Sequence, residues 1–179
     1  MNQEDKKLLL KDLSIRLPYR VKGRVYAECS NGEYDMNGDM IFFDSPFDVT
    51  LDDINISTEE IHVIAIGNED TVAFIEDQQI WGSLYTVDEF KPYLRPMSSM
   101  TKEEFESLKE YSELKYNQLD LTSFQNGDYK CLDFYLNEIP SGAVIRVFDW
   151  LNKYHFDYRD LIQMDLAIEV TKENNPYKS

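Results

Sequence analysis

The chain holds two cysteines and two histidines in 179 residues. Cys29 and Cys131 lie far apart and form no C-x-x-C pair, so neither a disulfide framework nor a thiolate zinc site is indicated. With only His62 and His155, a histidine-based triad or a multi-histidine metal centre has too little material. No apolar run approaches the length needed to span a bilayer. Near the N-terminus the uninterrupted apolar run is Leu8 to Leu10, too short for a signal-peptide core, and the expected location is the cytoplasm.

Positive charge is missing where it matters most. Between Arg24 and Lys91 there is no Lys or Arg, and residues 25–90 carry sixteen acidic groups, a charge equal to the net −16 of the whole chain. Such a surface repels phosphate rather than releasing its counterions, which argues against nucleic acid as a direct partner. A basic protein surface or a divalent cation suits it better. The plain alternative is a solvated face kept soluble by like charge.

What is present describes a packed α+β protein. A hydrophobic fraction of 42% with 13% aromatic excludes a generally disordered chain. The expected organisation is one domain over residues 1–179, with a β-rich half at 1–97 and a helix-rich half at 98–179. Leu9, Leu10, Leu13 and Leu17 recur at helical spacing, and Pro18 ends that helix. From Val21 to Cys29 apolar and polar residues alternate as in a half-buried strand. Asn31-Gly32 and Asn37-Gly38 are both hairpin signals, and the second is the favoured turn. Met40 to Phe43 and Phe47 to Leu51 follow as strands. At Asp52 and Asp53 the alternation slips phase, which predicts a bulge. Ile61 to Ile66 and Thr71 to Glu76 read as a hairpin, and Ile80 to Tyr85 as a further strand. The expected sheet, over about residues 20–86, is mostly antiparallel, and its strand number also admits a curled, barrel-like form.

Two capping boxes, Thr86 with Glu89 and Thr101 with Glu104, bracket a loop punctuated by Pro92 and Pro96. Phe105, Leu108, Tyr111 and Leu114 then mark one helix. Val144, Ile145, Phe148 and Leu151 mark another beginning at Ser141. Tyr129 to Glu138 fits strand or helix. Residues after Thr171 are polar and expected to fray.

Three blocks, KDLSIRLPY from Lys11 to Tyr19, EFKPYLRPMSSMTKEEF from Glu89 to Phe105 and DWLNKYHFDYRDLIQMDLAIE from Asp149 to Glu169, resemble a family of uncharacterised proteins. That family is common in gut Bacteroidetes genomes, their phages and mobile elements. The blocks cover about a quarter of the chain. The family tends to carry glycine where this chain has Asp160 and Asp165, and proline where it has Gln163. The resemblance implies no known reaction, cofactor or partner.

Several constellations carry candidate chemistry. Glu33, Asp35, Asn37, Gly38 and Asp44 match positions of a calcium-loop pattern, but the first position wants Asp and the last Glu, the flanks read as strands, and a plain Asn-Gly hairpin explains the same residues. Ser99 to Lys102 spells S-x-x-K, without the partner motifs of serine acyl-enzymes. Tyr93, Arg95, Met97 and Met100 suit an exposed binding loop; the alternative has Tyr93, Leu94 and Met97 plug the seam between sheet and helices and pairs Arg95 with an acid such as Asp157. His155, beside Asp157, suits the C-terminus of the helix before it. The candidate contacts for a basic protein are Tyr93, Arg95, Met97, Asp48, Asp52 and Asp53. No cofactor and no membrane contact is implied. The function expected is a non-catalytic interaction or regulatory protein. The alternatives are a carboxylate-based, metal-dependent hydrolase and an inhibitor that mimics nucleic-acid charge.

Overall fold

A computed structural model of the chain describes residues 1–65, 84–113, 120–127 and 141–178. The readings made for Cys131, Ile66, Thr71 to Glu76, Ile80 to Ser83, Leu114 and Tyr129 to Glu138 lie outside them. The fold is α+β with a mostly antiparallel sheet; among the described residues that sheet is open, so the barrel-like form does not occur. The chain divides into two compact units, Met1–Tyr93 with Asn174–Ser179, and Leu94–Glu173. The division falls four residues before the change of sequence style at residue 97, and the last residues belong to the first unit.

The first unit opens with α1 (Gln3–Arg16), capped by Asn2, whose side chain accepts from Asp5 N. Leu9, Leu10 and Leu13 are buried as their spacing requires. Asp12 and Arg16 share that buried face, with Arg16 Nε 2.6 Å from Asp12 Oδ2 and both side chains fully buried. A one-turn separation brings the two charges together in the same buried surroundings, where opposite charge offsets part of the cost of burial. Pro18 lies in the 3₁₀ turn Leu17–Tyr19 that ends the helix.

Strands β1 (Lys22–Tyr34), β2 (Met40–Asn55), β3 (Glu60–Ala65) and β4 (Leu84–Thr86) form an antiparallel run in the order β4-β3-β2-β1, and β1 also pairs with the start of β5 (Lys91–Pro96). Val21, Val25, Cys29, Phe47, Val49, Leu51, Ile61 and Val63 supply the buried face. The phase slip at Asp52 is a register shift between Leu51 and Asp53 against β3. Gly23 is required by close approach, since a Cβ there would lie 2.3 Å from Phe90 Cζ and 2.8 Å from the Lys91 carbonyl oxygen.

Pro176 and Tyr177, expected in a frayed tail, are tied to the sheet. Tyr177 Oη accepts from Lys22 N (3.0 Å) and donates to the Tyr93 carbonyl (2.9 Å), while Lys22 Nζ donates to the Pro176 carbonyl at 2.6 Å. The β1–β5 ladder ends at Gly23↔Pro92. One step further on, the hydroxyl relays between a strand N–H and a strand C=O that would otherwise pair directly.

In the second unit, β5 continues into parallel pairing with β6 (Phe156–Asp157), and β7 (Ile168–Glu169) also pairs with β5. Helix α2 (Lys102–Ser112) packs on α4 (Ser141–Lys153), and the short α3 (Leu121–Gln125) contributes Phe124 to the same core. That core gathers Met97, Met100, Phe105, Leu108, Trp150 and Phe156. Tyr111, expected on the buried stripe of α2, is exposed and donates to Asp149 (2.6 Å), while Ser112 is buried and bonds the Leu108 carbonyl. Ile145 is exposed as well. The buried stripe of α4 runs through Ala143, Val144, Val147, Trp150 and Leu151 instead.

Tyr177→Phe keeps the ring and removes the relay, leaving Lys22 N and the Tyr93 carbonyl short of a partner. Urea denaturation should show a loss of about 1–3 kcal/mol.

Candidate functional site

Both capping boxes form. Glu89 Oε2 accepts from Thr86 N at 2.7 Å at the head of the 3₁₀ turn Val87–Glu89. Glu104 N donates to Thr101 Oγ1 (3.2 Å), and Thr101 N donates to Glu104 Oε2 (2.9 Å), at the head of α2. The loop between them is not an exposed binding loop. Tyr93, Met97 and Met100 are all buried.

Arg95 pairs with Glu104, through Nη1–Oε1 and Nη2–Oε2 contacts of 2.7 and 2.9 Å, rather than with Asp157. Its guanidinium also lies 4.2 Å from the centre of the Phe156 ring. The Asp157 carboxylate instead accepts from Leu161 N and Ile162 N, both at 2.9 Å. His155 takes a left-handed φ of 59° just after α4, and its carbonyl accepts from Arg95 N, so its place is structural.

Asp48, a candidate partner contact, belongs to an internal network. It lies opposite Arg24 across β1 and β2. Its Oδ1 accepts from Arg24 Nε (2.9 Å) and from Tyr93 Oη (2.8 Å). Burial, reinforced by the Asp48 carboxylate, pushes the Tyr93 hydroxyl well above the ordinary tyrosine range. Of the six expected contacts, Asp52 and Asp53 remain exposed, beside the bulge. The acidic stretch also receives positive charge from outside itself, since Lys6 lies 3.5 Å from Glu59 and 3.1 Å from Asp88.

The calcium-loop pattern is a hairpin loop. Asp35 Oδ1 accepts from Asn37 N and Asp39 N, Asp35 N bonds the Asp39 carbonyl, and Gly38 takes φ 86°. Backbone N–H groups, first that of Asp39, hold the Asp35 carboxyl below its usual range. Glu33 and Asp44 lie on the two strands beyond this loop. Among the described residues no group of three or more His, Cys, Asp or Glu side chains is arranged to hold a metal ion. Asn31-Gly32 marks an irregularity rather than a second turn, with a register shift between Ser30 and Tyr34 and φ 79° at Gly32. Ser99 ends a 3₁₀ turn and Lys102 begins α2, both exposed.

Sequence reasoning missed the outer part of this hairpin as a surface. In β2, burial alternates only from Phe47 inward; from Met40 to Asp44 every residue is exposed. Neighbouring residues point to opposite faces of a strand. Cys29, opposite Phe43, is still fully buried, so one face is covered up to that pair; beyond it, exposure of Met40, Ile41 and Phe42 leaves both faces open among the described residues. Tyr26, Tyr34 and Met36 are exposed as well. Beyond the Cys29–Phe43 pair, β2 runs on to Met40 for roughly 10 Å as an arm that ends in the hairpin loop. Glu33, Asp35, Asp39 and Asp44 are exposed along it. The signal available in sequence was the apolar run Met40 to Phe43, which does not alternate.

The second unit holds a cavity of about 430 Å³ between the β5 end, the α3 end and the loop after β6. Comparison of the chain with protein-family models, curated proteins and solved structures finds no match.

Two measurements check this site. Burial alone would raise the Glu104 carboxyl, but the Arg95 guanidinium and the Thr101 groups outweigh it and hold it below its ordinary 4.5. A depressed carboxyl stabilises the fold above its ordinary value and loses that contribution as pH falls through the folded value. Acid denaturation should therefore weaken the protein below about pH 4.5, and Glu104→Gln should be less stable at neutral pH with a flatter acid limb. In the second measurement, adding Ca²⁺ at matched ionic strength should leave the melting temperature unchanged, because the loop's own amides already occupy Asp35.

Proposed function

We propose that this protein is a non-catalytic interaction protein whose β1–β2 arm docks onto a basic protein partner. The observation that carries the reading is the run of exposed large apolar side chains from Met40 to Phe43, with Tyr34 and Met36, on a ribbon also bearing Glu33, Asp35, Asp39 and Asp44. Contiguous exposed apolar surface with a polar rim is typical of protein-binding sites, and methionines adapt to a partner's shape. Aromatic and methionine side chains are enriched at interface centres, with charge held to the rim.

The charge selects the partner. Residues 25–90 contain no Lys or Arg. A second copy of the arm would bring like charges together, whereas a basic surface gains steering and register. A mimic of nucleic-acid charge needs acids alone, and the apolar tip favours a protein groove with a basic rim. The hydrolase alternative needs a metal-holding cluster of carboxylates, and none is formed among the described residues.

A photo-crosslinking residue at Met36 should capture a basic protein in a salt-sensitive manner. Met36→Ser/Phe42→Ser and, separately, Glu33→Gln/Asp44→Asn should each lower the affinity by about tenfold or more, without changing the melting temperature. An acidic partner, or binding indifferent to both variants, would contradict the reading.

A further inference from the structure

Register decides which side chains share a face of the β1–β2 ribbon. From Lys22↔Thr50 to Ser30↔Phe42 the ladder is continuous, and neighbouring residues point to opposite faces. One face carries Val25, Phe47 and Cys29, all buried. The other carries, from the base outward, Arg24 with Asp48, Tyr26 with Pro46, then Asp44, then Phe42. Beyond the Arg24–Asp48 pair it is open, with Tyr26 56% and Phe42 54% exposed, and Pro46 and Asp44 exposed as well. Asp44 stands between the Tyr26–Pro46 pair and Phe42, about 7 Å along the strand from each.

The protein shows twice what a ring and a carboxylate hold together. At the base of this same face, Arg24 Nε donates to Asp48 Oδ1 at 2.9 Å while the guanidinium carbon lies 5.5 Å from the centre of the Tyr93 ring. In the other unit, Arg95 makes contacts of 2.7 and 2.9 Å with Glu104 and lies 4.2 Å from the centre of the Phe156 ring. A planar guanidinium can face a ring while its edge reaches a carboxylate; an ammonium is a compact, strongly hydrated point charge and does both less well. Outward of Arg24 the face repeats the ring and the carboxylate, yet residues 25–90 supply no arginine.

We propose that this open face, from Tyr26 out to the arm, selects arginine rather than basic side chains in general. An extended segment of the partner lays guanidinium groups over Tyr26 and Phe42, with Asp44 between them as acceptor. The inference rests on the arm as the docking surface and adds the side chain that surface reads. In an extended segment, arginines at every second residue have the same spacing of about 7 Å as the face. A second copy fits poorly, since its own residues 25–90 bring like charge.

Fluorescence anisotropy with the intact protein at physiological salt tests it, using labelled (Arg-Thr)4, (Lys-Thr)4 and (Gln-Thr)4 peptides as probes. The first two are matched in charge. The expected result is saturable binding of the Arg peptide, about tenfold tighter than the Lys peptide, and none of the Gln peptide. Tyr26→Leu/Phe42→Leu keeps apolar bulk and removes the rings, and should bring the Arg peptide down to the affinity of the Lys peptide. Asp44→Asn should weaken the Arg peptide about tenfold. Glu103→Gln/Glu110→Gln, which removes two exposed charges in the other unit, should leave it unchanged. All these side chains are exposed, so the variants keep the parent melting temperature. Equal binding of the Arg and Lys peptides would overturn the selection of arginine and leave the arm as a surface for basic partners. Absence of saturable binding, binding of the Gln peptide, persistence in both ribbon variants, or equal loss in the Glu103/Glu110 variant would each overturn it too. Crosslinking at Met36 then decides separately whether the arm docks at all.

Discussion

The long antiparallel pairing of β1 with β2 is the constraint on which the first unit depends. Its register places Arg24 opposite Asp48 and Gly23 opposite Val49, which sets the internal Arg24–Asp48–Tyr93 network and the position where Phe90 crosses a glycine. The same ladder continues from Val25↔Phe47 outward to Tyr34↔Met40. Core and arm are thus one ribbon, buried at one end and exposed at the other. A shift of one residue would turn Val25, Phe47, Val49 and Leu51 outward, so the packed end specifies the geometry of the free end.

Charge is arranged on the same principle. The acidic stretch has no cations of its own, yet its Asp48, Glu59 and Asp88 are met by Arg24 and Lys6 from the preceding residues. These pairs lie near the covered part of the sheet. Out on the arm, the acids accompany exposed apolar side chains. Self-repulsion along such a ribbon works against association with another copy and leaves the tip to a partner of opposite sign.

Much of this was legible in sequence where the cause is local. Thr86 and Glu89, Thr101 and Glu104, Asn37-Gly38 and the phase slip at Asp52 each act within a few residues, and each appears as expected. Asp160 and Asp165 take left-handed φ values of 61° and 57°. Asp tolerates that region better than most side chains. What sequence could not reveal depends on distant partners or on burial. Asp12 and Arg16 interrupt the apolar stripe of α1 and are paired with each other where they are buried. Tyr177 sits in a polar tail and acquires its role from Lys22 and Tyr93, far away in the chain. Arg95 could have met several acids; Glu104 wins because the α2 cap already fixes its carboxylate at Thr101. Exposure of Met40 to Phe43 is likewise invisible to periodicity, because a buried strand and an uncovered one share the same composition.

The most direct test of the account is hydrogen–deuterium exchange of the protein alone and with the basic partner captured at the arm. The account predicts rapid exchange in the loop at residues 35–39 of the free protein, and marked slowing across residues 34–43 in the complex. Slowing confined to other segments, with residues 34–43 unchanged, would contradict the arm as the interaction surface.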